Sequence, residues 1–76
     1  MKEKVFSIIS RIMDVPVESV NEDSSPDTIE AWDSLKHMNL ILAFEEELGV
    51  QFSDEEIVEM LSVELILLTL EEKIGR

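Results

Sequence analysis

The residues best placed to do chemistry lie in the stretch "EAWDSLKH", Glu30 to His37. Ser34 offers a hydroxyl, and the single histidine, His37, follows it by three positions, which sets both near one face of a helix. Nucleophilic catalysis needs such a base beside the nucleophile, and usually a third group to orient the base. No glycine-rich turn or other oxyanion feature accompanies the pair, and a chain of 76 residues has little room for a substrate cleft. These features argue against a serine hydrolase and for no catalytic residue at all. His37 then reads as an ordinary, partly exposed helix residue. One histidine without any cysteine does not make a transition-metal site, and the acidic pairs read as solvated faces.

Two readings of Asp33 and Ser34 remain. Either side chain can cap the helix that follows, a contribution of about 1 kcal/mol. Alternatively, the hydroxyl is a point of attachment. Backbone amides in the first turn lack partners and the helix dipole presents partial positive charge, so a phosphate ester on Ser34 is electrostatically favoured there. The polar segment before it keeps the hydroxyl reachable. On residue types alone, capping is the simpler reading, because serine and aspartate are common caps.

The elements that must position these residues follow from periodicity. In Lys2–Met13, Val5, Ile8, Ile9 and Ile12 recur at helical spacing, and Pro16 ends the helix. Asp14 to Asp33 is a long connection rich in turn residues, including Pro16, Pro26, Ser24 and Ser25. Val15, Val17, Val20 and Ile29 are expected to pin it to the core, with a short helical turn over Val17–Val20. Read as a calcium loop from Asn21, it has Pro26 where glycine is needed and Trp32 where glutamate is needed, so that reading is rejected. Ser34–Leu48 reads as the second helix. Its expected apolar arc is Leu35, Met38, Leu40, Ile41, Leu42, Phe44 and Leu48, opposite Lys36, Asn39, Ala43, Glu46 and Glu47. Gly49 suits the left-handed position after its end.

Ser53 and Glu56 form a capping box, flanked by Phe52 and Ile57 at staple spacing, for a short helix over about Asp54–Met60. Ser62 caps a last helix running to about Lys73, before Gly75, with Val63, Ile66, Leu67, Leu70 and Ile74 inward and Leu65 and Leu68 outward. The expected fold is all-α: one domain over residues 1–76, a small bundle of three main helices and one short helix, with a long loop between the first and second.

Composition sets the outer limits. Eighteen acidic residues against six basic ones give a net charge of −12, which repels nucleic acid and anionic lipid and suits partners with basic patches. An acidic, soluble surface without a specific partner explains the same count. No apolar run reaches membrane-span length, and the start, with Glu3 and a helical period, does not read as a signal peptide; the expectation is a cytoplasmic monomer.

Along essentially its whole length the chain resembles the acyl carrier proteins. The family's attachment signature, Asp-Ser-Leu, stands here as Asp33-Ser34-Leu35; "LILAFEEELGVQFSDEEI" is similar to its second helix and the entry to its third, and "SVELILLTLEEKI" to its fourth. The loop and Val20 also fall in the expected places.

The resemblance implies that the protein is not an enzyme. It implies that a phosphopantetheinyl transferase, using coenzyme A and magnesium, attaches 4′-phosphopantetheine to Ser34. The arm's thiol would then hold acyl or aminoacyl groups as thioesters for loading and transferring enzymes. Asp33 would cap the helix or position the serine, and Leu35 would anchor partners or the core. The family's second helix is its recognition helix, so Leu42, Glu45, Glu46 and Glu47 are candidate partner contacts, joined by Asp54, Glu55 and Glu59.

Lys36 and Asn39 depart from the acidic first turn usual in fatty acid synthesis, Ala31-Trp32 replaces a glycine and a small residue, and the Gly-Gly of peptidyl carriers is absent. These departures point to a specialised pathway, such as polyketide, modified-lipid, surface-polysaccharide or amino acid chemistry. A competing expectation is an acidic helical adaptor that binds a basic partner without a prosthetic group.

Overall fold

In a computed structural model, which describes residues 2–74, the chain is all helical, with no strand among the described residues. Helix α1 spans Lys2–Met13, a 3-10 turn spans Val17–Ser19, and α2 (Ser34–Leu48), α3 (Asp54–Glu59) and α4 (Val63–Ile74) follow. Among the described residues no helix is long and apolar enough to cross a membrane. The core is assembled from Val5, Ile8, Ile9 and Met13 of α1, Leu40, Ile41 and Phe44 of α2, Met60, and Val63, Ile66 and Leu70 of α4. Gly75, expected beyond the last helix, lies outside the described residues.

Local chemistry sets most of the helix ends. After α1, Asp14 takes a left-handed conformation and the Val15 amide reaches back to the Ser10 carbonyl, so the helix is closed before Pro16 is reached. Gly49 (φ 68°) ends α2, where a residue with a Cβ would be strained. Ser53 and Glu56 form the complete capping box of α3, and Phe52 and Ile57 pack against the core beside it. The Ser62 hydroxyl accepts the Leu65 amide at 3.2 Å at the start of α4.

The long connection is a chain of tight turns tied to the core. The Asn21 side chain accepts the Asp23 amide, and Ser25 and Thr28 bond reciprocally. Ser24 is buried, its hydroxyl accepts the Asn21 amide, and its carbonyl accepts the first amide of α4, from Val63, at 2.9 Å. Val20 and Ile29 are buried pins and Val15 packs on the core. Val17 departs from the expectation: it sits on the outer side of the 3-10 turn and is 47% exposed.

Two other faces differ from the periodic reading. The buried face of α2 is narrower than its apolar arc: Leu35, Met38 and Leu42 are exposed, whereas Ala43 packs against the core. The buried apolar contacts of α2 centre on Leu40, Ile41 and Phe44, and Leu42 faces outward. Ile74 is likewise exposed, one turn past the last buried position of α4, while Leu65 and Leu68 are exposed as their spacing predicts.

Candidate functional site

At the start of α2 the ambiguity between Asp33 and Ser34 disappears. Asp33 is the N-cap; its carboxylate accepts the Lys36 amide at 2.9 Å and its carbonyl accepts the His37 amide at 2.8 Å. Ser34 is therefore the first helical residue, exposed to solvent and not needed as a cap. The first amides of a helix have no intrahelical acceptors. A phosphate diester on the Ser34 oxygen would lie beside the α2 N-terminus, where those amides and the dipole favour it. A groove of about 360 Å³ opens next to Ser34, lined by Pro26, Trp32, His37, Met38 and Leu61, and gives an attached organic arm an apolar surface to lie against. On these observations the residues present fit a phosphopantetheine group.

Behind the serine is a contact that residue types did not reveal. Trp32, only 4% exposed, donates from Nε1 to His37 Nδ1 at 3.0 Å, and His37 Nε2 lies 2.8 Å from the Ile57 carbonyl of α3. His37 is thus a bridge between the loop, α2 and α3, rather than an ordinary surface residue. The one signal available in the sequence was the tryptophan itself, since a buried indole N–H usually finds a partner.

The candidate partner residues fall into two groups. Leu35 (70% exposed), Asn39, Leu42 (58% exposed) and Glu46 form an outward strip on α2, and Asp54, Glu55 and Glu59 are exposed on α3. Others are committed within the molecule. The Lys36 amine donates to the Ile12 carbonyl at the end of α1 at 3.3 Å. The Glu45 carboxylate accepts the Phe52 amide at 3.0 Å, and Glu47 pairs with Arg11. Glu56 is held below the ordinary carboxylate range, first by the Ser53 amide and then by the Lys73 ammonium, 2.9 Å away. Lys73 also lies over the Phe52 ring.

Fold and site together define a class: a small acidic helical domain with an accessible hydroxyl at the start of its second helix. The family model described as a phosphopantetheine attachment site matches residues 3–70. An "Acyl carrier protein" of Petrotoga mobilis is 40% identical over 74 residues, covering 96% of this chain and 86% of its own. An "Acyl carrier protein" of Buchnera aphidicola subsp. Schizaphis graminum is 37% identical over 65 residues, covering 84% of this chain and 81% of its own. The chain belongs to the acyl carrier protein family. It is a carrier and not an enzyme, and its cofactor is covalently attached 4′-phosphopantetheine.

Proposed function

We propose that Ser34 bears the 4′-phosphopantetheine arm, and that residues 1–76 act as one carrier domain holding acyl or aminoacyl groups for partner enzymes. The observation that carries this reading is the division of labour at α2: Asp33 takes the capping role and leaves the Ser34 hydroxyl free and exposed. Ser34 Oγ attacks the phosphorus that bears pantetheine in coenzyme A. An O–P bond forms, the bridging P–O bond of the pyrophosphate breaks, and adenosine 3′,5′-bisphosphate leaves. The hydroxyl proton passes to a base of the phosphopantetheinyl transferase, which also holds the magnesium. When bound, the arm supplies the thiol that a cysteine-free chain lacks.

Partners approach the strip Leu35, Asn39, Leu42 and Glu46, with Asp54, Glu55 and Glu59 beside it. A net charge of −12 steers basic patches toward this face and opposes self-association, which supports a monomer. The pathway is a specialised one. Lys36 puts a cation in the first turn after the signature, and its tie to the end of α1 gives it a structural reason to be there.

Intact mass after incubation with coenzyme A, magnesium and a broad-specificity transferase tests the attachment. One added phosphopantetheine, absent in Ser34→Ala, is expected. An unchanged mass with several transferases would return the protein to the adaptor reading.

A further inference from the structure

A row of large apolar side chains stays exposed from the end of α3 into α4. Val58, Leu61, Leu65 and Leu68 follow one another at intervals of three, four and three, and each is at least 43% exposed. The buried residues of α4 are Val63, Ile66, Leu67 and Leu70, so Leu65 and Leu68 stand on the opposite side of that helix. The long loop bonds to α4 at its first residue, where the Ser24 carbonyl accepts the Val63 amide, and it leaves both leucines uncovered. One exposed leucine is ordinary, whereas a run of them marks a surface that another molecule covers.

Charge, size and position together say what covers this one. Glu64 and Glu72 are exposed alongside the leucines, and Lys73, the cation of this helix, is turned to Glu56 and Phe52. The rim of the row is therefore acidic. A second copy of the chain would bring the same rim, and a net charge of −12, against its like. A stable interface engages about 20–30 residues a side, so these four side chains are the edge of a larger contact. That larger contact adjoins them. Leu61 also lines the groove beside Ser34, together with Pro26 and Met38. An enzyme that reaches the Ser34 hydroxyl covers this groove and Leu61 with it. A contact of about 800 Å² has a radius of about 16 Å, and Leu68 lies only about 10 Å beyond Leu61 at the rise of a helix.

We propose that the phosphopantetheinyl transferase docks across Leu61 onto Leu65 and Leu68 of α4, and that it meets them with an apolar surface rimmed by basic residues. The proposal rests on Ser34 being the attachment residue. It carries the partner surface past the α2 strip and α3 onto a helix that neither the charge pattern nor the groove marks by itself. The leucines hold the two proteins together and take no part in the transfer, so they act on KM for the carrier and not on kcat.

The test measures the initial rate of arm transfer to the full chain by a broad-specificity transferase, at saturating coenzyme A and magnesium, over a range of carrier concentrations. Leu61→Gln is expected to raise KM about tenfold, and Leu65→Gln combined with Leu68→Gln about fivefold, with kcat within about 1.5-fold of the parent. Glutamine keeps the net charge and the helix propensity, so a partner drawn by charge alone would not notice these changes. Methionine at the same positions should return KM to within about twofold of the parent, since it restores the apolar contact. Val17→Gln, exposed but outside the row, should leave both constants unchanged. Glu64→Gln combined with Glu72→Gln should raise KM about twofold in dilute buffer and lose that difference in about 0.5 M sodium chloride. A parental KM in the Leu65 and Leu68 double variant would overturn the proposal, as would a lowered kcat at unchanged KM. A parent that is dimeric in light scattering and becomes monomeric in the double variant would give the row to a second copy, and would overturn it too. A parent that takes up no arm at all would instead refute the attachment reading.

Discussion

Helices α2 and α3 both start with an acid and a serine side by side, yet in opposite order, and the order changes what the serine can do. At α3 the serine comes first. Ser53 is the cap, its hydroxyl accepting the Glu56 amide at 3.2 Å while its own amide donates to Glu56 Oε1 at 2.9 Å. At α2 the acid comes first, Asp33 caps, and Ser34 moves one residue into the helix with its hydroxyl uncommitted to the cap. Ser62, at the start of α4, likewise spends its hydroxyl on a cap, accepting the Leu65 amide. A cap consumes the oxygen that performs it, so only the helix start with a separate capping carboxylate has a hydroxyl to give away.

The largest effect expected from breaking this contrast is at Ser34. Ser34→Ala should abolish arm attachment entirely, read as intact mass, while changing stability by no more than about 0.5 kcal/mol in urea unfolding. Ser53→Ala should do the reverse, leaving attachment intact and lowering stability by about 1 kcal/mol. Asp33→Ala should also cost about 1 kcal/mol by removing the α2 cap, and equal stability of this variant and the parent would contradict the capping assignment.

A smaller effect sharpens the difference in first-turn charge. Lys36→Glu replaces a cation near the α1 C-terminus with an anion, and a loss of about 0.5 kcal/mol is expected from thermal or urea melts. The same change should raise turnover by a general fatty acid synthase enzyme about twofold or more, because it restores an acidic first turn. An unaltered rate would count against Lys36 as a determinant of partner choice.

The smallest effect concerns acid. The folded pKa of Glu56 lies below its ordinary value of 4.5, so its contribution is present above that value and is lost as pH falls through the lowered folded value. The Ser53 amide resonance should therefore move in that acidic window, and Glu56→Gln should remove the movement. A Ser53 amide that titrates identically in both proteins would refute the box as the source.

Much of this fold was legible because helix ends are local. The bounds of α1 and α2, the capping box, the Ser62 cap and the left-handed Gly49 each depend on residues within four or five positions, and spacing exposes them. The same arithmetic set Leu65 and Leu68 on the outer side of α4 but left open whether the long loop covers them; both are exposed. Asp14 did not follow: an aspartate takes the left-handed position that glycine or asparagine more often fills, and Pro16 drew attention to the wrong residue.

The width of the buried face was not legible either. Leu35, Met38 and Leu42 have the residue types of a core, and periodicity gives a helix its apolar arc without saying how much of that arc its neighbours cover. Leu42 is exposed because the elements packed on α2 converge on Leu40, Ile41 and Phe44.

By itself, then, the amino-acid order determined which segments become helices, where each begins and ends, and that an acid precedes a serine at the second of them. These are contests among near neighbours, settled by hydrogen bonds and sterics within a turn or two. Tertiary structure alone decided that His37 would bridge Trp32 and Ile57, that Lys36 would turn back to Ile12, and which leucines would meet water. Those contacts join residues up to 24 positions apart along the chain, and they exist only once the helices have packed.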